Sequence, residues 1–208
     1  MLSHITRYRI VPVVVCSDAA QADALGDALV RGGLPIAEVT FRTAAAADTI
    51  RALARRDDLL VGAGTVVTTA QVDRAADAGA RFIVSPGLDA DVVRRAQERD
   101  LDVLPGCVTP SEIMAARKLG IDTVKFFPAG SYGGAKAIAA LSAPFGDVQF
   151  IPTGGVSLAN LADYLGQPCI PAVGGSWMVP AKAVDAGDGD TVARLCAEAV
   201  AAAAQIAK

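Results

Sequence analysis

The chain has 208 residues, 52% of them hydrophobic and 20% charged, with a formal net charge of −3; these values suit one well-cored domain and exclude a disordered or coiled-coil chain. No Lys/Arg cluster interleaved with aromatic residues occurs, so no nucleic-acid partner is expected, and the scattered acids form no membrane-seeking face. Cys16, Cys107, Cys169 and Cys196 lie far apart, with no C-x-x-C spacing and a lone His4, which indicates neither a metal site nor a disulfide framework and points to a reducing cytoplasm.

Arg7 and Arg9, followed by the apolar run Ile10 to Cys16 and by Ala20-Gln21-Ala22, imitate a secretory leader with its cleavage site. The run is short for that role and behaves as the first of a series. Further β-branched, apolar runs open near Ala37, Leu60, Phe82, Val103, Thr123, Phe150 and Pro171. Segments of helical period separate them, among them Ala19 to Arg31, Ala44 to Arg56, Ala70 to Ala78, Asp89 to Arg99 and Ser111 to Leu119. Thr109-Pro110-Ser111-Glu112 supplies a cap, a proline at the first helical position and a capping-box acid in order. Gly32, Gly79 and Gly120 are expected to close their helices in the left-handed conformation, and Asp190 to Ala207 reads as an alanine-rich final helix. No stretch reaches the length of a membrane-spanning helix.

Strands apolar on both faces and alternating with helices mark a parallel sheet covered by helices. Eight such units predict an α/β fold, a single-domain eight-stranded parallel (β/α) barrel (TIM barrel) over residues 1–208. An open doubly wound sheet is the alternative; it usually has fewer strands and gives no reason for special residues at so many strand ends.

Two charged residues break the apolar pattern. Lys118, Lys136, Lys182 and Lys208 stand among polar or helical residues, whereas Lys125 sits inside Thr123-Val124-Lys125-Phe126-Phe127. An unpaired charge in such a strand costs several kcal/mol, on the order of what a buried polar group loses on leaving water. Such a lysine either snorkels its head to the strand end or, desolvated toward the neutral amine, serves as a nucleophile that forms a Schiff base with a carbonyl. Glu98, Glu112 and Glu198 fall on helices, but Glu38 lies in the strand A-E-V-T-F. There period-two alternation turns Glu38, Thr40 and Arg42 inward, with Arg42 nearest the barrel mouth. Glu38 is then either a core ion-pair partner of Arg42 or Lys125, or a general acid/base set beside the amine.

Gly62-Ala63-Gly64-Thr65 and Ser85-Pro86-Gly87 close the third and fourth strands; their glycines suit tight turns as well as ligands, and Thr65 offers a hydroxyl at the rim. Thr153-Gly154-Gly155 and Gly174-Gly175-Ser176 end the seventh and eighth strands. Paired glycines expose backbone N–H groups there, at the recurrent phosphate position of such barrels, so an anion could bind without a basic cluster.

With E-V-T-F-R-T, V-G-A-G-T, V-K-F-F-P-A, P-T-G-G and V-G-G-S-W in this order, the chain resembles the 2-keto-3-deoxy-6-phosphogluconate aldolase family, which also carries 4-hydroxy-2-oxoglutarate aldolase activity. The similarity runs from about Val11 to Pro180. It implies a class I aldolase on a β/α barrel, usually a homotrimer, with no metal or other cofactor, acting on a phosphorylated ketoacid and releasing pyruvate and D-glyceraldehyde 3-phosphate. By resemblance Lys125 is the Schiff-base lysine and Glu38 the general acid/base. Arg42 and Thr65 hold the pyruvoyl carboxylate, and Phe127 belongs to the substrate-binding set. Thr153 contacts the aldehyde portion, and Gly154, Gly155, Gly175 and Ser176 bind the phosphate. A related branch that acts on the galactonate epimer replaces the arginine and threonine of the Arg42-Thr43 pair, so by resemblance this pair and Thr153 put this chain on the gluconate side. The short N-terminus and Cys107-Val108 in the fifth-strand loop depart from the family pattern. Alternative readings are an aldolase for the 6-phosphogalactonate epimer, another sugar-phosphate barrel such as an epimerase, and a non-catalytic phospho-ligand-binding barrel.

Overall fold

The computed structural model describes residues 3–206, with side chains from Ile5 onward; Lys208, Ala207 and the His4 side chain lie outside the described residues. Eight strands follow one another: β1 (Ile10–Val14), β2 (Ile36–Thr40), β3 (Leu60–Gly64), β4 (Phe82–Val84), β5 (Asp102–Leu104), β6 (Thr123–Phe126), β7 (Gln149–Pro152) and β8 (Val173–Gly175). All the pairings are parallel, in the order β5-β4-β3-β2-β1-β8 with β6-β7 as a separate pair. The ring is completed at two seams, each by a single bridge, Gly106 to Lys125 and Thr153 to Gly174. Pro105, Pro152 and Pro171 stand beside these seams and carry no N–H to donate, which keeps a full ladder from forming there. The result is a circular (β/α) barrel whose sheet is not closed by continuous hydrogen bonding.

The helices are α1 (Ser3–Thr6), α2 (Ala22–Arg31), α3 (Ala46–Leu53), α4 (Thr69–Asp77), α5 (Ala90–Glu98), α6 (Pro110–Lys118), α7 (Gly134–Ser142), α8 (Leu161–Leu165), α9 (Ala181–Asp185) and α10 (Gly189–Ala204). Their apolar stripes, such as Leu25, Ala28 and Leu29 on α2 or Val92, Val93 and Ala96 on α5, recur at helical spacing because one face must leave water. They meet the outward residues of the strands in one continuous cluster that includes Ala37, Val39, Val124, Phe126 and Phe150. A second cluster fills the barrel's N-terminal half with Ile36, Phe82, Val84, Leu104 and Ile151, capped by Ile5 of α1. Each such side chain, fully buried, contributes roughly 1.5–3 kcal/mol.

Local signals place most boundaries. Thr109 caps α6, and the Glu112 carboxylate accepts hydrogen bonds from the Val108 N–H, the Thr109 N–H and the Thr109 hydroxyl at 2.9, 2.9 and 2.8 Å. Partial burial alone would raise the Glu112 pKa, but these three donors outweigh it and hold the carboxyl below its ordinary value. A depressed carboxyl contributes stability above its unfolded-state pKa and loses it as pH falls through the folded one. Glu112→Gln should therefore lower the melting temperature at neutral pH and flatten its acid dependence below about pH 4.5, the range of an ordinary glutamate, as read by thermal denaturation from pH 3 to 7. Gly79 and Gly120 adopt the expected left-handed φ of 94° and 78°. Gly32 does not: its φ is −77°, and Gly33 at +77° makes the turn one residue later, because α2 keeps Gly32 in its last helical turn. Arg9 clamps the end of α10, its guanidinium donating to the carbonyls of Ala203 (2.7 Å) and Ile206 (2.9 Å). The basic residue that makes the N-terminus look like a leader thus satisfies helix C-terminal acceptors.

Candidate active site

β6 alternates as its sequence demands, Val124 and Phe126 turning out to the helices while Lys125 turns into the barrel. On β2, Ala37 and Val39 turn out, and Glu38 and Thr40 turn in. The two inward charges meet across the interior: Lys125 Nζ lies 3.3 Å from Glu38 Oε1, with 6% and 3% of the side chains exposed. Among the described residues they are the only buried charged side chains. Lys118, Lys136 and Lys182 are exposed, as their positions predict. A buried ion pair of this kind is weak evidence of stability, since two desolvated charges seldom outperform apolar side chains of the same volume. Its retention at the mouth of a barrel therefore asks for a chemical reason.

Around the pair the strand ends form two groups. On one side β2 and β3 are neighbours, with the Phe41 N–H donating to the Gly64 carbonyl at 2.7 Å, so Arg42 and Thr65 follow on adjacent strands. Arg42 departs from its expected place. β2 ends at Thr40, the chain leaves the pleat, and Arg42 stands exposed on the turn rather than on the inner wall. Its guanidinium has no hydrogen-bond or ion-pair partner among the described residues, which leaves it free for an anion at the rim. Thr65 is half-buried with φ +56°, a conformation that costs a β-branched residue energy and concentrates at functional positions.

On the other side Phe127 continues past Lys125, which holds Nζ 5.2 Å from the ring centroid. Pairing of β6 with β7 runs on into their loops: Ala129 N–H donates to the Thr153 carbonyl at 2.8 Å and Gly130 N–H to the Gly154 carbonyl at 2.9 Å. The Asn160 amide donates to the Gly155 carbonyl at 2.8 Å. The loop carbonyls are thus turned into the protein. The N–H groups of Gly154, Gly155 and Ser176 have no acceptor among the described residues. Gly154 and Gly155 hold φ values of 88° and 82°, the left-handed geometry that directs successive N–H groups to one anion. Because α8 and α9 have only five residues each, an anion here would rest on these N–H groups and the exposed Ser176 hydroxyl rather than on a helix dipole. Thr153 is buried and inward, against Gly174, where an added Cβ would stand 2.3 Å from its Oγ1. Gly175 likewise makes room for the Trp177 ring.

Cys107 donates its N–H to the Lys125 carbonyl at 2.8 Å. Burial, with a smaller effect from Glu112, pushes its thiol up to about 12, so it stays protonated at neutral pH and does not compete as a nucleophile. Gly130 has no obvious signal in sequence; its Cα backs Gly155, where an added Cβ would lie 3.2 Å away. A cavity of about 850 Å³ opens at the opposite, N-terminal end of the barrel, lined in part by Tyr8, Arg56, Asp58, Arg81 and Phe82. It contains none of the residues above.

A β/α barrel with one buried lysine touching one buried carboxylate, beside a ring of free backbone N–H groups, defines the class of Schiff-base barrel lyases. The model of the "KDPG and KHG aldolase" family matches residues 1–195. The KHG/KDPG aldolase of Escherichia coli is 44% identical over 199 residues, 95% of this chain and 93% of the relative. The 2-keto-3-deoxy-6-phosphogluconate aldolase of Zymomonas mobilis superposes with a TM-score of 0.90 at 39% identity over 96% of both chains. The KDPG aldolase of Legionella pneumophila, crystallised with pyruvate captured as a covalent carbinolamine, superposes at 0.88 and 37% identity over 91% of this chain and 93% of that one. The chain belongs to the KDPG and KHG aldolase family and is a class I aldolase, a lyase.

Proposed function

We propose that this enzyme cleaves 2-keto-3-deoxy-6-phosphogluconate to pyruvate and D-glyceraldehyde 3-phosphate, and also acts on 4-hydroxy-2-oxoglutarate, with Lys125 and Glu38 as its catalytic residues. The observation that carries this reading is the contact between the only two buried charges among the described residues. The Lys125 amine adds to the C2 ketone, and loss of water leaves a protonated imine that serves as an electron sink. Glu38, directly or through one water, takes the C4 hydroxyl proton. The C3–C4 bond breaks with its electron pair moving to C3, the aldehyde leaves, and Glu38 returns the proton to C3 of the enamine. Water then hydrolyses the imine and frees pyruvate and Lys125. Arg42 and Thr65 hold the pyruvoyl carboxylate, Phe127 packs on the bound ketoacid, and Thr153 contacts the aldehyde portion.

Product analysis with both substrates, together with borohydride trapping of pyruvate, tests the reading. An epimerase or a non-catalytic barrel would give no cleavage and no adduct. The phosphate is assigned to Gly154, Gly155, Gly175 and Ser176; the free N–H groups of Gly154, Gly155 and Ser176 support this reading. Gly155→Asp adds a carboxylate and a side chain at φ +82°. It should remove most of kcat/KM for the phosphorylated substrate while pyruvate labelling of Lys125 persists; equal loss of both would point to general misfolding or a misplaced site.

The same reading takes residues 1–208 as one domain and the assembly as a homotrimer in the cytoplasm. Four free cysteines and the exposed apolar Met114, Tyr132 and Leu158 support it, and light scattering tests the trimer. Among the described residues no helix is long and apolar enough to cross a membrane.

A further inference from the structure

Two glycines of β3 face the barrel interior, and what each makes room for differs. A Cβ at Gly62 would stand 2.3 Å from the ring of Phe82, a buried aromatic of the N-terminal cluster. A Cβ at Gly64 would stand 2.3 Å from Glu38 Oε1, 2.6 Å from its Cγ and 2.8 Å from its Cδ. Glu38 pairs in register with Gly62 and Thr40 with Gly64, so the Glu38 side chain leans one step toward the barrel mouth and rests on the bare backbone of Gly64. No left-handed φ requires glycine at this position. The constraint is the space that the carboxylate occupies.

We infer that Gly64 is a positioning residue for proton transfer: its missing side chain is what lets the Glu38 carboxylate lie across β3 within reach of Lys125. The inference rests on the catalytic reading of Glu38 given above. Backbone and rigid rings resist displacement, whereas the far end of a glutamate swings aside by rotation about its side-chain bonds. An alanine at 64 should therefore leave the barrel intact and move the carboxylate. A misplacement of about 1 Å at a reacting group costs on the order of 10²-fold in rate.

The test uses the full chain carrying Gly64→Ala, Glu38→Gln, both together, and Gly62→Ala as a structural control. Gly64→Ala should stay folded, with a smaller loss of melting temperature than Gly62→Ala, and keep borohydride labelling of Lys125 by pyruvate, while kcat falls at least tenfold with KM little changed. Added to Glu38→Gln it should cost less than about twofold more, since a residue acting through Glu38 has nothing left to position. Gly62→Ala should instead lower the melting temperature by displacing Phe82. Wild-type kcat in Gly64→Ala, or a further tenfold loss on top of Glu38→Gln, overturns the inference. So does a fall in melting temperature and labelling as large as that of Gly62→Ala. Absence of an adduct in the wild type fails the Schiff-base reading first and removes the inference with it.

Discussion

Lys125→Arg should yield a folded protein with no measurable aldol cleavage and no borohydride-trapped adduct. Arginine keeps a positive charge opposite Glu38, 3.3 Å from Lys125 Nζ in the native enzyme, so no buried carboxylate is left without a partner. Truncation to alanine would leave one, at a cost of about 3–5 kcal/mol, and would confuse misfolding with lost chemistry. The guanidinium stays protonated at neutral pH and has no lone pair with which to form an imine. Loss of a nucleophile that works as a unit with its base costs on the order of 10⁶-fold in kcat. Mass spectrometry of the wild type after pyruvate and borohydride should place the added three-carbon unit on the peptide containing Lys125. An adduct on Lys118 or Lys136 instead, or cleavage without any adduct that a chelator abolishes, would overturn the mechanism.

Glu38→Gln should retain pyruvate labelling and lower turnover by about 10²–10⁴-fold, the range of a positioned acid/base. Glutamine matches the shape of glutamate, and its amide oxygen can still accept a hydrogen bond from Lys125, so the interior remains satisfied. What it cannot do is take the C4 hydroxyl proton or return one to the enamine. Two readouts separate these steps from imine formation: cleavage rate, and exchange of the pyruvate methyl protons in deuterated water, which needs Glu38 but no aldehyde. A fall of less than about tenfold in both would assign the proton to a water or to another residue.

Much of this protein is legible residue by residue. A lysine in T-V-K-F-F and a glutamate in A-E-V-T-F contradict their strands so sharply that burial, and hence partnership, follows from the cost of an unpaired interior charge. The eight apolar runs and the capping box at Thr109 and Glu112 are equally local, because strand period, helix caps and turn glycines depend on a few neighbouring residues. Where local signals compete, sequence is less sharp: the left-handed turn after α2 falls at Gly33 rather than Gly32, since either glycine can make it.

Tertiary structure alone decides which of these residues share a volume. Glu38 and Lys125 are separated by 87 positions, and only the barrel's curvature brings their inward faces together. Period-two alternation carries Arg42 to the inner wall on paper, but the strand ends at Thr40 and releases it to the rim. The free N–H groups of the seventh-strand loop depend on Ala129, Gly130 and Asn160 engaging the neighbouring carbonyls. Gly62 and Gly64 look alike in V-G-A-G-T, yet one faces Phe82 and the other Glu38. Alternation says which way a side chain points, whereas the atom it meets is set by register and packing between segments far apart in the chain.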